Sequence, residues 1–316
     1  MPDYILYAQH GWADVNRGIS DLAQQIASPQ AEIVVPNLGF INTWIRIEPL
    51  VNRVEAIALE TQRTHPNTPI RIVGHSMGGL IWLEVLSRHP EWWPQVESLV
   101  LVASPIGGAD LSRMVDPLSL GIGIARDLGT NRRALAERIA AHIPTLTIAG
   151  DYWGGSDGVV PLECTRVHQS SYVETNGIDH ASMKKHPQVA NIICQFWQSA
   201  DHLCIPEPIP SYCDTLIRQL QSIPGMTDAR HHGFKDSEVW ALMPDNLVLR
   251  IWRSPIGIHH VFLSNYMGDC LFAGFVGWPH TKDLYNTLHH LRETSHVALS
   301  QTTCQTTCQT ASQTAS

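Results

Sequence analysis

The chain of 316 residues has few charged side chains, since Asp, Glu, Lys and Arg make up 16% of it. Its formal net charge is −8 and lysine is scarce, which argues against nucleic acid as a partner. No apolar run approaches the ~20 residues that a membrane-spanning helix needs. The first residues also lack the basic segment that opens a signal peptide. We therefore predict a cytoplasmic protein without a transmembrane segment.

Cysteine and histidine are not arranged for metal binding. The seven cysteines are spread along the chain, and the one close pair, Cys304 and Cys308, lies in a Thr- and Gln-rich tail. An odd number of cysteines favours reduced thiols in a cytoplasmic protein. Adjacent histidine pairs, such as His259-His260, point to opposite faces of a strand and cannot easily hold one ion together. We interpret them as surface or packing residues.

The first two hundred residues alternate between β-like and α-like patterns. This alternation predicts a mostly parallel, doubly wound sheet with helices on both faces. The predicted strands are Tyr4–Ala8, Glu32–Val35, Ile70–Val73, Ser98–Ala103, Thr145–Ala149 and one near Val167–Val173. The predicted helices are Arg17–Ala27, Trp44–Thr64, Leu80–Arg88, Arg132–Ala141 and Pro187–Ser199. In such sheets functional sites form at the carboxyl ends of the strands.

The pattern changes after three prolines within five residues. We divide the chain into an α/β domain at 1–203, a stiff linker at 204–211, a small α+β domain at 212–299 and a disordered, low-complexity tail at 300–316. The small domain is predicted to hold two helices around an antiparallel meander. Its elements are Asp214–Ile223, Trp240–Leu242, Leu247–Arg253, His259–Ser264, Leu271–Val276 and Pro279–Glu293.

The most informative segment is Gly74-His75-Ser76-Met77-Gly78, a Gly-x-Ser-x-Gly pattern. A buried strand is predicted before it and a helix after it, which is the context of a nucleophile elbow. The two glycines allow close packing at this sharp turn, so that the Ser76 hydroxyl stands clear of the sheet. The N-terminus of the following helix points at the same place, where it would stabilise a negative charge.

A serine nucleophile needs a base, and the base needs an orienting acid. Asp157 and Asp151 both follow the predicted strand Thr145–Ala149. We favour Asp157, because it lies in Ser-Asp-Gly-Val-Val-Pro, where a tight turn is anchored by two valines. For the base we favour His180, which lies in the loop before the last large helix of the α/β domain. Its rival His186 precedes a proline and resembles a helix boundary.

Two backbone N–H groups are expected to form the oxyanion hole. One belongs to Met77, the residue after the serine, and the second to Trp12 in the loop after the first strand. Gly11 lets that loop approach closely, and we assign Gly11 and His75 to substrate binding. Trp12, Trp44 and Trp153 are expected either to line a pocket or to lie in the core.

These motifs resemble the α/β-hydrolase superfamily, specifically the small lipase/esterase-like serine hydrolases. The resemblance rests on His10-Gly11-Trp12, on Gly74–Gly79, on Ser156–Pro161 followed by His180, and on Ala103–Ala109. It covers about residues 4–200. It implies an α/β-hydrolase sheet with a short apolar cap, and it leaves the C-terminal third, which holds the small α+β domain, unexplained.

The resemblance implies a two-step acyl transfer. Ser76 would attack a carbonyl carbon while His180 takes its proton and Asp157 orients the imidazole. The N–H groups of Trp12 and Met77 would hold the oxyanion. This reaction needs neither a metal ion nor an organic cofactor. The implied substrate is a small-molecule or lipid ester.

An apolar insert at about 105–143 is expected to form the cap, with Leu111 and Met114 binding an acyl group. The alternative is that these apolar residues pack against the sheet. Two other functions also fit the sequence. The same triad could serve an acyltransferase or an amide or thioester hydrolase, or the chain could be a non-catalytic binding protein whose C-terminal domain is the interaction module.

Overall fold

The computed structural model describes residues 1–108, 124–152, 155–199 and 211–295, with only the backbone described at 125 and 126. Contacts between Cα atoms divide the chain into two compact units, Met1–Pro208 and Ile209–Ser316. Within the described ranges, no helix has the length and apolar character needed to span a bilayer.

The first unit is built on six parallel strands in the order β2-β1-β3-β4-β5-β6. The strands are β1 Ile5–Gln9, β2 Glu32–Val34, β3 Ile70–His75, β4 Val96–Val102, β5 Thr145–Asp151 and β6 Ser171–Asn176. The inner strands β1, β3, β4 and β5 are rich in apolar residues because helices cover both faces of the sheet.

Helices pack on both faces of this sheet. They are α1 Arg17–Ile26, α2 Glu48–Thr64, α3 Met77–Arg88, α4 Ile124–Leu128, α5 Arg133–Ala140, α6 His180–Met183 and α7 Pro187–Gln198. Residues of α2, α3 and α5 share one apolar cluster with Ile5 and Tyr7 of β1. Residues of α1 and α7 share the other cluster with Leu6 and Ala8. Alternate side chains of β1 therefore pack into two apolar cores, one on each face of the sheet. The predicted fold class is confirmed.

Two predicted elements begin about four residues later than expected. The helix expected from Trp44 begins at Glu48, because Asn42–Trp44 forms a short 3₁₀ turn and Pro49 occupies the first helical turn. The strand expected near Val167–Val173 is Ser171–Asn176. Here Leu162–Thr165 forms another 3₁₀ turn and the chain turns again at 168–170 before it joins the sheet edge.

The predicted cap falls partly outside the described residues, and so do Leu111, Met114 and Trp153. The described residues that flank 109–123 are packed with the first unit. Ile106, Ile124 and Leu128 are buried in the cluster that contains α2 and α3. The carboxylate of Asp127 accepts hydrogen bonds from the N–H of Ile47 at 2.8 Å and from Nε of Arg46 at 3.0 Å.

The second unit has a five-stranded antiparallel sheet in the order β7-β11-β10-β9-β8. Its elements are α8 Tyr212–Gln221, β7 Met226–Asp228, β8 Glu238–Met243, β9 Leu247–Arg253, β10 His259–Asn265, β11 Cys270–Val276 and a helix, α9, at 281–295. Leu220 of α8 and Leu288 of α9 are buried against this sheet. The three residues of β7 escaped prediction because they are too few to show a period.

Candidate active site

Ser76 lies between β3 and α3 in a strained backbone conformation. Its φ of 56° and ψ of −128° are unusual for a residue with a side chain. The turn is held by a hydrogen bond of 2.9 Å from the Ser76 N–H to the carbonyl of Val102 on the neighbouring strand. Strain that the surrounding structure maintains is typical of functional positions, and here it presents the hydroxyl above the carboxyl edge of the sheet.

Close packing explains the two glycines that follow the serine in α3. A Cβ at Gly78 would overlap the carbonyl oxygen of Gln9, and a Cβ at Gly79 would overlap Oγ of Ser104. The start of α3 is therefore pressed against the ends of β1 and β4. A side chain at either glycine would push the helix away from the turn that holds Ser76.

The imidazole of His180 connects Ser76 to Asp157. Its Nε2 lies 3.0 Å from Oγ of Ser76, and its Nδ1 lies 2.6 Å from Oδ2 of Asp157. An ionised Asp157 accepts from Nδ1–H, so Nε2 is the nitrogen that accepts the serine hydroxyl. His180 is the first residue of α6, whose N-terminus is capped by the carboxylate of Asp179.

Asp157 is almost fully buried, with 1% of its surface exposed, and both carboxylate oxygens have partners. Besides the bond to His180, Oδ1 accepts from the N–H groups of Val159 at 2.9 Å and Val160 at 2.7 Å. The two valines of the motif thus hold the carboxylate with their backbone. Gly158, which lies between Asp157 and Val159, has a φ of 93°, which favours glycine.

The two rival residues have local structural roles. Oδ1 of Asp151 accepts from the N–H of Gly155 at 3.1 Å and closes a turn after β5. His186 caps α7, since its Nδ1 accepts from the N–H of Gln188 at 3.2 Å. Of the four candidates, the structure brings Asp157 and His180 to Ser76.

The loop after β1 lies directly against the serine. A Cβ at Gly11 would stand 2.8 Å from Cβ of Ser76 and 3.1 Å from the backbone nitrogen of Met77. Met77 begins α3, and the N–H groups of a first helical turn have no partner within their own helix. The structure therefore brings the predicted Gly11 and Met77 together at Ser76, with Trp12 next in the chain.

His10 holds this loop in place. Its Nε2 accepts from the N–H of Leu38 at 3.2 Å, so its Nδ1 carries the hydrogen that is donated to the Gly11 carbonyl at 3.1 Å. Burial lowers the pKa of His10, which favours this neutral ring. One residue beyond Trp12, the N–H of Ala13 donates to Oγ1 of Thr43 at 3.0 Å.

His75, which was predicted to bind substrate, is buried next to His180. Its Nε2 lies 2.9 Å from the backbone carbonyl oxygen of His180. Sequence reasoning missed this contact, and it also missed the ion pair of 2.5 Å between Lys184 and Asp14. Neither has a local sequence signal, because the partners are more than a hundred positions apart.

Aromatic and apolar side chains extend from the loop after β1. The Trp12 and Trp44 rings are 4.5 Å apart, and the Phe40 and Trp44 rings are 6.2 Å apart. Phe40, Ile41 and Ile45 are at least half exposed. A concentration of exposed apolar side chains is typical of a binding surface. Within the described part of the chain, no group of three or more His, Cys, Asp or Glu residues could hold a metal ion.

Comparisons with known proteins agree with this architecture. A family described as "PGAP1-like alpha/beta domain" matches residues 13–224, more than half of the chain. A Bacillus licheniformis lipase in its mature form is 17% identical, over 62% of this chain and 94% of its own, with a TM-score of 0.50. Est1E from Butyrivibrio proteoclasticus, with ferulic acid bound, is 14% identical over 62% and 89%, also with a TM-score of 0.50.

At these identities the two solved structures show the fold alone. No curated protein sequence matches the chain. The predicted resemblance to α/β-hydrolases is confirmed by the family match and by the six-stranded parallel sheet. The chain belongs to the PGAP1-like alpha/beta domain family and has the α/β-hydrolase fold.

Proposed function

We propose that this protein is a serine hydrolase of carboxylic esters. The observation that carries the proposal is the chain of hydrogen bonds from Ser76 through His180 to Asp157, at 3.0 and 2.6 Å. A serine hydroxyl is a weak nucleophile unless a base accepts its proton, and this arrangement supplies the base and its orienting acid. The family and fold support the same reaction class.

In the proposed mechanism, Oγ of Ser76 attacks the ester carbonyl carbon as its proton passes to Nε2 of His180. The N–H groups of Met77 and Trp12 stabilise the oxyanion of the tetrahedral intermediate. His180 then gives the proton to the leaving alkoxide, and an acyl-enzyme remains. Water, deprotonated by His180, attacks this acyl-enzyme and releases the carboxylic acid, while Ser76 regains its proton. Asp157 stabilises the imidazolium in both steps.

We further propose that the substrate carries an apolar group. The rings of Trp12, Trp44 and Phe40 form a row that starts beside Gly11, which touches Ser76. An apolar acyl or alcohol group of the substrate would lose contact with water on these rings. The substrate class is then a small-molecule or lipid ester.

The first experiment is hydrolysis of p-nitrophenyl esters with acyl chains from short to long. Ser76→Ala should lower kcat by at least about 10⁴-fold, because the nucleophile is lost. Ser87→Ala is the matched control. Its hydroxyl lies at the far end of the same helix and donates to the carbonyl of Glu84, so activity should remain within about twofold. The best chain length would separate an esterase from a lipase.

Covalent labelling by a fluorophosphonate distinguishes the alternatives. Labelling of Ser76 without ester turnover would favour an amide or thioester hydrolase, or an acyltransferase, on the same triad. A folded protein that neither labels nor hydrolyses any ester would contradict the proposal. It would favour a binding protein whose second unit, which contains β7 to β11, is the interaction module.

A further inference from the structure

His75, the residue before Ser76, contacts the backbone of His180. Its ring is buried and its Nε2 lies 2.9 Å from the backbone carbonyl oxygen of His180. Because a carbonyl oxygen can only accept, Nε2 carries the hydrogen and Nδ1 carries a lone pair. The Nδ1 atom is also buried, and no described residue is its hydrogen-bond partner.

This contact connects the nucleophile to its base a second time. Ser76 bonds to the ring of His180 through its hydroxyl, and the adjacent His75 bonds to the backbone of the same residue. On the other side, the N–H of His180 donates to the carbonyl of Asp157 at 3.0 Å. The carbonyl of His180 is therefore bonded to His75, the neighbour of Ser76, and its N–H is bonded to Asp157. The backbone of His180 is held on both sides by the segments that carry the other two triad residues.

The charge state of His75 suits this role. Burial lowers its pKa well below the usual value for histidine. The positive charge that His180 can carry, 4.8 Å away between ring centroids, lowers it further. Lys184 and His10 act in the same direction. His75 therefore stays neutral when His180 accepts the serine proton, and its Nε2–H donor does not change during the reaction.

A merely structural role does not explain histidine at this position. A buried nitrogen without a hydrogen-bond partner is unfavourable, and an apolar ring of similar size would avoid this cost. The benefit of histidine must then come from the Nε2–H group. We infer that His75 is a positioning residue, which holds the backbone of His180 so that the imidazole meets Ser76 at hydrogen-bond distance. This inference rests on the proposed function.

The test compares His75→Phe, which keeps a buried ring without a donor, with His75→Gln, whose amide N–H can reach the same carbonyl. For hydrolysis of p-nitrophenyl butyrate, His75→Phe should lower kcat by about 10- to 100-fold, because a base misplaced by about 1 Å costs this much. The KM should change by less than about threefold. His75→Gln should retain kcat within about fivefold. The thermal midpoint of His75→Phe should stay within about 5 °C of wild type.

A second measurement does not depend on turnover. The proton between Nδ1 of His180 and Asp157 is observable by NMR of the ¹⁵N-labelled full chain, because this short hydrogen bond slows its exchange with water. Its resonance should be sharp in wild type and His75→Gln, and broadened or lost in His75→Phe. If His75→Phe does not fold, His75→Leu takes its place.

Three outcomes would overturn the inference. In the first, the resonance and kcat are unchanged in His75→Phe. In the second, His75→Gln loses as much activity as His75→Phe. In the third, kcat falls only in proportion to the thermal midpoint, which would indicate a structural role. Failure of the proposed function can be told apart from failure of this inference. In that case wild type would hydrolyse no ester and bind no fluorophosphonate, but the NMR resonance would still show whether His75 positions His180.

Discussion

At the scale of single residues, an aspartate at the end of β5 and another in the loop that follows differ in what their carboxylates contact. Asp157 is bonded to the imidazole of His180 and to two backbone N–H groups, whereas Asp151 closes a turn on Gly155. Chemically the side chains are identical. Their surroundings alone decide that Asp157 contacts the imidazole of His180 and that Asp151 contacts the local backbone.

This difference predicts the effect of removing each charge. Asp157→Asn should lower kcat for ester hydrolysis by about 10⁴-fold, because an amide that donates to Nδ1 leaves the wrong nitrogen protonated. Asp151→Asn retains an oxygen that can accept from Gly155, and kcat should stay within about threefold. Steady-state kinetics of the two variants at one pH measures both effects. Equal losses of kcat in the two variants would contradict the assignment of Asp157 as the acid.

At the scale of elements, the loop after β1 and the end of α6 are joined by one ion pair. The Lys184 ammonium lies 2.5 Å from the Asp14 carboxylate, and each side chain is 17% exposed. The stem of Lys184 also packs against Gly18 in α1. The pair therefore connects the loop that carries Trp12 to the helix that carries His180, across 170 positions of sequence.

A double-mutant cycle measures this connection. Asp14→Asn and Lys184→Met each remove one charge, and the methionine keeps most of the apolar stem. We expect a coupling free energy of about 1 kcal/mol from urea unfolding of the single and double variants, at the upper end for ion pairs that water can reach. In the same variants kcat/KM should fall by up to about fivefold. If the changes in unfolding free energy of the two single variants add up to that of the double variant, the ion pair contributes no coupling between the loop and the helix.

At the scale of the whole molecule, buried neutral histidines make stability depend on pH. Burial lowers the pKa of both His10 and His75 below that of a histidine in the unfolded chain, about 6.5. Below this pH the unfolded chain binds more protons than the folded one. The free energy of unfolding should therefore decrease as the pH is lowered below about 6.5, by up to about 1.4 kcal/mol per pH unit for each such histidine.

The measurement is the urea midpoint between pH 7.5 and 5.5. Burial also lowers the pKa of His231 and His259 in the second unit, so the comparison with His75→Gln isolates one residue. The slope of the free energy of unfolding against pH should be smaller in His75→Gln than in wild type. The difference corresponds to at most one proton bound on unfolding. Carboxylates with lowered pKa, such as Asp179, act only below about pH 4 and do not interfere. An equal slope in both proteins would contradict the prediction.

Most of the first sheet could be predicted because its inner strands are buried on both faces and are therefore continuously apolar. The edges were harder. β6 is half exposed and was placed several residues too early, and β7 was missed. Helix ends shifted where prolines and 3₁₀ turns compete with the periodic pattern, as at Glu48.

The sequence by itself determined the fold class and the candidates Ser76, Asp157 and His180. Their signals are local: a glycine-framed turn, a Ser-Asp-Gly-Val-Val-Pro loop and a histidine before a helix. Only the tertiary structure showed the hydrogen bond from Asp157 to His180, the contact between His75 and the backbone of His180, and the pairing of Asp14 with Lys184. The physical reason is that hydrogen bonds and ion pairs depend on a spatial distance of about 3 Å and not on the separation of the partners in the sequence.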